Sequence, residues 1–188
     1  ETARQLALSV TRDAGDWQAR AAVFVREDED LVDWTFATGA PFARQANPVD
    51  LDVIGVEAFL TRNWERLDLA AGFTWLEKDS DYGNAQVDAS FYALNFARQR
   101  ATLALRYRFA GKFELRLDNE YRRQEDNPLR AGDDNTYLAS ASLQWNHAAA
   151  EGLVLAIVAD NLTDSDFQTI PGTPAYGRNY SLNASWRW

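Results

Sequence analysis

Asn179-Tyr180-Ser181-Leu182-Asn183-Ala184-Ser185-Trp186-Arg187-Trp188 ends the chain, and its reading decides the fold. Tyr180, Leu182, Ala184, Trp186 and Trp188 share one side of an extended chain, while Asn179, Ser181, Asn183, Ser185 and Arg187 share the other. Successive side chains of a β-strand point to opposite faces, so unbroken alternation predicts a strand with one apolar and one polar face. Working outward, the same period returns eight times. Leu6, Leu8 and Val10 form one stripe, and Trp17, Ala19, Ala21, Val23 and Val25 the next. Ile54, Val56, Ala58 and Leu60 follow, then Leu67, Leu69, Ala71, Phe73 and Trp75. The remaining four run Leu103 to Phe109, Phe113 to Tyr121, Tyr137 to Trp145 and Leu153 to Ala159. Asn119 alone interrupts its stripe.

The connections alternate as well. Tight turns are expected at Asp13 to Asp16, Asn63-Trp64-Glu65, Ala110-Gly111-Lys112 and, somewhat longer, His147 to Gly152. Long polar loops are expected at roughly 27–51, 78–93, 124–133 and 162–174. Short turns on one edge and long loops on the other predict an all-β, antiparallel up-and-down transmembrane β-barrel segment of about nine strands. The short turns would be periplasmic and the long loops extracellular. Residues 1–188 read as a single barrel region with no internal domain boundary.

A soluble sandwich alternates too, and three details favour lipid over water as the cover of the apolar face. Aromatic residues sit at stripe ends. Trp17, Tyr107, Phe113 and Trp145 lie near the short turns, and Trp75, Tyr121 and Tyr137 near the long loops, as an aromatic girdle at headgroup level would require. Phe113 to Tyr121, Tyr137 to Trp145 and Tyr180 to Trp188 each span eight residues. At about 3.3 Å per residue and a tilt of about 40° that is roughly 20 Å of height, near the expected apolar band of about 25 Å. Finally, Arg106, Arg108, Glu114, Arg116, Asp118, Glu120 and Arg122 all fall on the polar face. An Arg at the lipid midplane costs about 2–4 kcal/mol, and this many charges would exceed a domain's whole stability of about 5–15 kcal/mol. That face is expected to look into a polar lumen.

The bulk composition agrees. Seven Trp, no Cys and no Met stand among 188 residues, which excludes a disulfide framework and thiolate metal sites. The longest apolar run, Leu153 to Ala159, has seven residues, far below the ~18 a spanning helix needs. A net charge of −9 disfavours nucleic acid as a partner. Much of the acid falls in the expected loops, as Glu27-Asp28-Glu29-Asp30, Asp79, Asp81, Asp133-Asp134, Asp164 and Asp166. It reads as a solvated surface or as loops that meet cations or a charged ligand. Glu1 opens the chain, and a removed signal peptide or an internal cut is expected; the odd strand count favours missing earlier strands.

The carboxy end resembles a TonB-dependent outer-membrane receptor. The carrying residues are Asp160-Asn161-Leu162-Thr163-Asp164, Phe167-Gln168, Pro171-Gly172, Gly177-Arg178 and Tyr180, with the strand ending at Trp188. Upstream, Asp30-Leu31-Val32-Asp33-Trp34, Gly55-Val56-Glu57 and Phe73-Thr74-Trp75-Leu76 stand in the family's order. Thr163 replaces a usual aromatic, and Ala97 and Gln99 stand where the family often has Pro and His. The resemblance implies a Gram-negative outer-membrane location and roughly the last nine of about twenty-two strands. It implies active import of a scarce large ligand (an iron–siderophore complex, cobalamin or a glycan), driven by TonB acting on a plug domain that these residues do not include. The last motifs look most like the cobalamin-transporter branch. Tyr180, Leu182, Trp186 and Trp188 are then also the signal read by the barrel assembly machinery through strand addition.

His147 is the only histidine and falls in an expected short turn. No catalytic constellation, phosphate loop or metal-spaced cluster can be assembled, so neither an enzyme nor a cofactor is expected. Asp79-Ser80-Asp81 and Glu125-Asp126 read as solvated loop acids. Two other functions compete with active transport: a complete small passive pore, and a soluble β-sandwich binding module.

Overall fold

Apolar and aromatic residues alternating with polar ones suit a pleated surface that meets two different environments. The computed structural model describes residues 1–40, 44–146, 152–173 and 176–186, and no helix occurs among them. The strands are β1 (Thr2–Ala14), β2 (Trp17–Phe36), β3 (Gln45–Asn63), β4 (Leu67–Asp81), β5 (Ala89–Ser90), β6 (Ala97–Phe109), β7 (Phe113–Gln124), β8 (Asn135–Asn146), β9 (Leu153–Asp160) and β10 (Asn179–Trp186). Apart from β5, they lie side by side in chain order, each antiparallel to the next, while β5 pairs with the far end of β2. Among the described residues β1 and β10 do not pair with each other, and both are exposed along their length.

The register settles which residues share a face, because directly paired residues of antiparallel strands project to the same side. One row runs Val10, Ala21, Ala58, Phe73, Ala101, Tyr121 and Tyr137 across β1 to β8. Another runs Leu143, Ile157 and Leu182 across β8 to β10. Every expected apolar stripe thus joins one continuous face. None of the described residues covers it: Leu6, Leu8 and Leu182 are each 74% exposed and Ile157 58%. A β-sandwich would bury this face beneath a second sheet. The sandwich alternative therefore falls.

The turns sit where the spacing placed them. Ala110 and Gly111 carry φ of 51° and 66° between the facing Phe109 and Phe113, as a tight hairpin of the primed kind requires. The turn ending at Gly152 mostly lies outside the described residues, with His147.

The long-loop edge differs from the expectation. Residues 27–51 are mainly strand: β2 and β3 stay paired from Trp17↔Arg62 out to Thr35↔Gln45, so the connection shrinks to residues 37–44. Likewise Asp79 and Asp81 belong to β4, opposite Asp52 and Asp50, and Glu27 to Asp30 belong to β2. Polarity marks where side chains meet water, and a hydrogen-bonded ladder continues there regardless. The 20 residues of β2 reach roughly 50 Å at about 3.3 Å each and about 40° of tilt, twice the apolar band.

A bulge between Asp28 and Leu31 marks the change of regime, with Asp30 at φ 55° and its N–H donating to Asp50 Oδ1 at 2.8 Å. The extra residue swaps the faces of β2 beyond it. Val32 and Trp34 move to the apolar side, while Asp33 turns to the polar side, where only 1% of it is exposed.

Candidate functional site

The polar face carries a web of ion pairs. Arg106 and Arg116 stand directly opposite each other on β6 and β7, as do Arg100 and Arg122. Like charges so placed repel, and each arginine turns to a carboxylate instead. Arg106 and Arg108 both reach Asp68 on β4, at 2.6 and 3.0 Å. Arg100 and Arg122 share Glu120, at 2.8 and 2.5 Å, and Arg116 pairs with Glu114 at 2.7 Å. Asp118 is exposed and makes no ion pair among the described residues. The structure thus brings six of the seven charges singled out by the sequence into pairs. Asp68 and Arg100, which complete the web, were not singled out, because the register needed to find them is not written in either strand alone. Most of the arginines are about half exposed, and such pairs contribute about 0.2–1 kcal/mol each. They tune the polarity of a wall more than they hold it together.

A hollow of about 280 Å³ opens on this face beside Arg20, Glu57, Phe59, Thr74, Arg100 and Thr102. A second, of about 430 Å³, lies nearer the long-loop edge against Phe24, Arg26, Asp33, Leu76, Lys78 and Tyr92.

The connection between β4 and β6 folds back over the polar face. Tyr82, Ala93 and Leu94 pack on Val49, Leu51 and Val53, together with Phe24, Leu31 and Leu76. Asp33 fastens it, accepting hydrogen bonds from the Ser90 hydroxyl at 2.5 Å, the Tyr82 hydroxyl at 2.7 Å and the Ala93 N–H at 3.3 Å. Burial, and next the neighbouring Asp33 carboxylate, push the Tyr82 hydroxyl far above the ordinary tyrosine range, which keeps it a donor. Lys78 Nζ donates to the Ala93 carbonyl at 3.0 Å and sits over the Phe96 ring.

Arg130 then ties this connection to the next one. Its side chain is 1% exposed and ion-pairs with Asp134. It donates to Asn95 Oδ1 at 2.6 Å and to the Glu125 carbonyl at 2.9 Å. Asn127 Nδ2 donates to the Ser90 carbonyl at 2.7 Å. The connection after β9 joins in: Asn95 Nδ2 donates to the Thr169 carbonyl at 2.8 Å, and Gln168 Oε1 accepts from Ala131 N–H at 3.1 Å. Glu125, read as a solvated acid, ion-pairs with Arg98.

The motif residues at the carboxy end form a local knot. Asn161 takes φ 49° and donates to the carbonyls of Ser165 and Tyr176, both at 2.8 Å. Leu162 N–H donates to the Ala139 carbonyl at 2.7 Å. Asp164 Oδ1 accepts from Arg178 N–H at 2.9 Å and lies against Gly177. Pro171 is buried, and Gly172, at φ 79°, donates its N–H to Gln168 Oε1 at 3.2 Å. Thr163, the departure from the family pattern, donates to the Tyr137 carbonyl at 2.7 Å.

Trp17, Trp75, Tyr107, Phe113, Tyr121, Tyr137 and Trp145 all lie on the apolar face by register. Tyr107, Phe109 and Phe113 stack in series near a short turn, with centroids 5.6 and 5.4 Å apart. Tyr180, Leu182 and Trp186 share that face on β10, and Trp188 lies outside the described residues. Asn119 is accommodated on the apolar face by accepting from the Tyr137 hydroxyl at 2.6 Å and donating to the Leu103 carbonyl at 3.4 Å. Among the described residues no cluster of acids and His could hold a metal ion.

Neither a protein-family model nor a curated protein sequence matches the chain. Solved structures do. The FrpB iron transporter from Neisseria meningitidis aligns with a TM-score of 0.72 at 15% identity, over 98% of this chain and 31% of its own. The copper transporter OprC aligns with a TM-score of 0.68 at 16% identity, over 99% of this chain and 31% of its own. The pyoverdine outer membrane receptor FpvA from Pseudomonas aeruginosa, solved bound to pyoverdine, gives 0.68 at 14%, over 99% and 30%. The chain thus spans less than a third of the length of these proteins. Its structural neighbours are TonB-dependent receptors, and what it shares with them is the fold, an antiparallel arc of barrel wall.

Proposed function

We propose that this chain is the carboxy-terminal arc of the barrel of a TonB-dependent active transporter in a Gram-negative outer membrane. One observation carries the reading: a continuous apolar face, framed by aromatic rings and covered by none of the described residues, backs a face of paired charges. Hydrocarbon satisfies the first face, and a watered lumen satisfies the second. Arg106, Arg108, Glu114, Arg116, Asp118, Glu120 and Arg122 line that lumen. The connections that fold over the polar face stand at the extracellular mouth, where a scarce large ligand first meets the protein. Iron–siderophore complexes and other chelated metals lead the ligand classes, since the neighbours named above carry iron, copper and pyoverdine. The cobalamin branch rests on the order of the motifs from Asp160 to Trp188. Tyr180, Leu182, Trp186 and Trp188 present the strand that the barrel assembly machinery receives, and a plug elsewhere in the protein contacts TonB.

Uptake of labelled ferric siderophores by cells producing the intact protein tests this. Accumulation should stop when TonB is removed. Accumulation that persists without TonB, or influx of small solutes alone, would replace the reading with a passive pore.

A further inference from the structure

Arg62 differs from the arginines of the ion-pair web. By register it stands on the apolar face, between Trp17 and Leu69, next to the last residue of β3 at the short-turn edge. Its guanidinium carbon lies 4.2 Å from the ring centroid of Trp17 and 4.2 Å from that of Trp64. The two indoles are 6.2 Å apart and inclined at 63°. Nε is buried and has no acceptor. Arg100, Arg106, Arg108, Arg116 and Arg122 on the other face each have a carboxylate. Arg62 has none among the described residues.

Two rings packed on a guanidinium stabilise the cation without neutralising it. They also fix its plane and leave its Nη edge as the side that meets an anion. That edge presents parallel N–H donors, the pattern that matches a phosphate bidentately. Trp17, at the end of its apolar stripe, and Trp64, in the adjoining short turn, place the edge at the depth of lipid headgroups. On this face the anion available at that depth belongs to the bilayer.

We propose that Arg62, held between Trp17 and Trp64, binds the phosphate of a phospholipid headgroup in the leaflet at the short-turn edge. The proposal rests on the membrane reading above. The rings make the site, and the lipid supplies the missing acceptor.

Solid-state NMR on the full chain, with arginine side chains labelled with nitrogen-15 and reconstituted in phosphatidylethanolamine–phosphatidylglycerol vesicles, tests it. Lipid phosphorus should dephase a guanidinium signal that disappears in Arg62→Gln. Trp64→Ala, which removes one ring, should lower site occupancy roughly two- to fivefold. Arg62→Lys, which lacks the planar edge, should not restore the wild-type signal. In non-ionic detergent with inorganic phosphate the dephasing should be absent; its presence there would assign a free-anion site and overturn the lipid assignment. Quenching of tryptophan emission by lipids with brominated acyl chains, read on the same samples, reports insertion separately. Quenching without dephasing at Arg62 sinks this proposal alone, whereas absence of quenching sinks the membrane reading and this proposal with it.

Discussion

At the scale of residues, buried hydrogen bonds decide more than surface charge. Asp33, 1% exposed, gathers donors from Tyr82, Ser90 and Ala93. A hydrogen bond to a charged group contributes about 1.5–3 kcal/mol. Tyr82→Phe should loosen the connection between β4 and β6 by about that much, seen as faster protease cleavage within residues 82–96. Because the Tyr82 hydroxyl is raised in the folded protein, its contribution is complete below the ordinary tyrosine value of about 10. It is lost as pH rises from there through the folded value. Neutral and mildly alkaline solutions should therefore leave the cleavage rate of the wild type unchanged, and a spectrophotometric titration should find that Tyr82 is among the last phenols to ionise. None of this could be read from the sequence, where Asp33 is one acid in an acidic stretch. Its role depends on a bulge that turns it and on partners about fifty residues away. Asn119 is the same kind of case. As a letter it breaks a pattern, and in the sheet it has Tyr137 and Leu103 for partners.

At the scale of elements, period two carried most of the information. It placed each long strand on the correct face, because burial on one side and water or lipid on the other leave no freedom of register. It failed beyond the apolar band, where charged residues are mixed among the apolar ones on both faces. Residues 27–36 and 45–51 lack the alternation that marks a half-apolar strand, yet their backbones pair. The bulge at Asp30 separates the two regimes, and a non-glycine residue at φ 55° there carries local strain. Asp30→Gly keeps the backbone donor to Asp50 and should raise stability by up to about 1 kcal/mol, whereas Asp30→Val should lower it by about 1–2 kcal/mol. Urea unfolding of the full chain in vesicles measures both, and a loss of stability on Asp30→Gly would contradict the assignment of strain.

At the scale of the whole molecule, strand order was legible because short turns force neighbours to pair. The association of the loops was not, because it runs through single side chains on different connections. Arg130 is the clearest of these, joining Asn95, Glu125 and Asp134 from a position almost wholly out of water. Arg130→Ala should raise amide exchange in residues 82–96, 125–134 and 161–173 together. If only its own connection responds, the three are independent. Coupling of this kind has a kinetic consequence. Displacing one segment of the canopy means breaking the shared fastening, so the segments move in concert or not at all. In the transporter proposed above, that coupling would give admission a threshold, as a latch does.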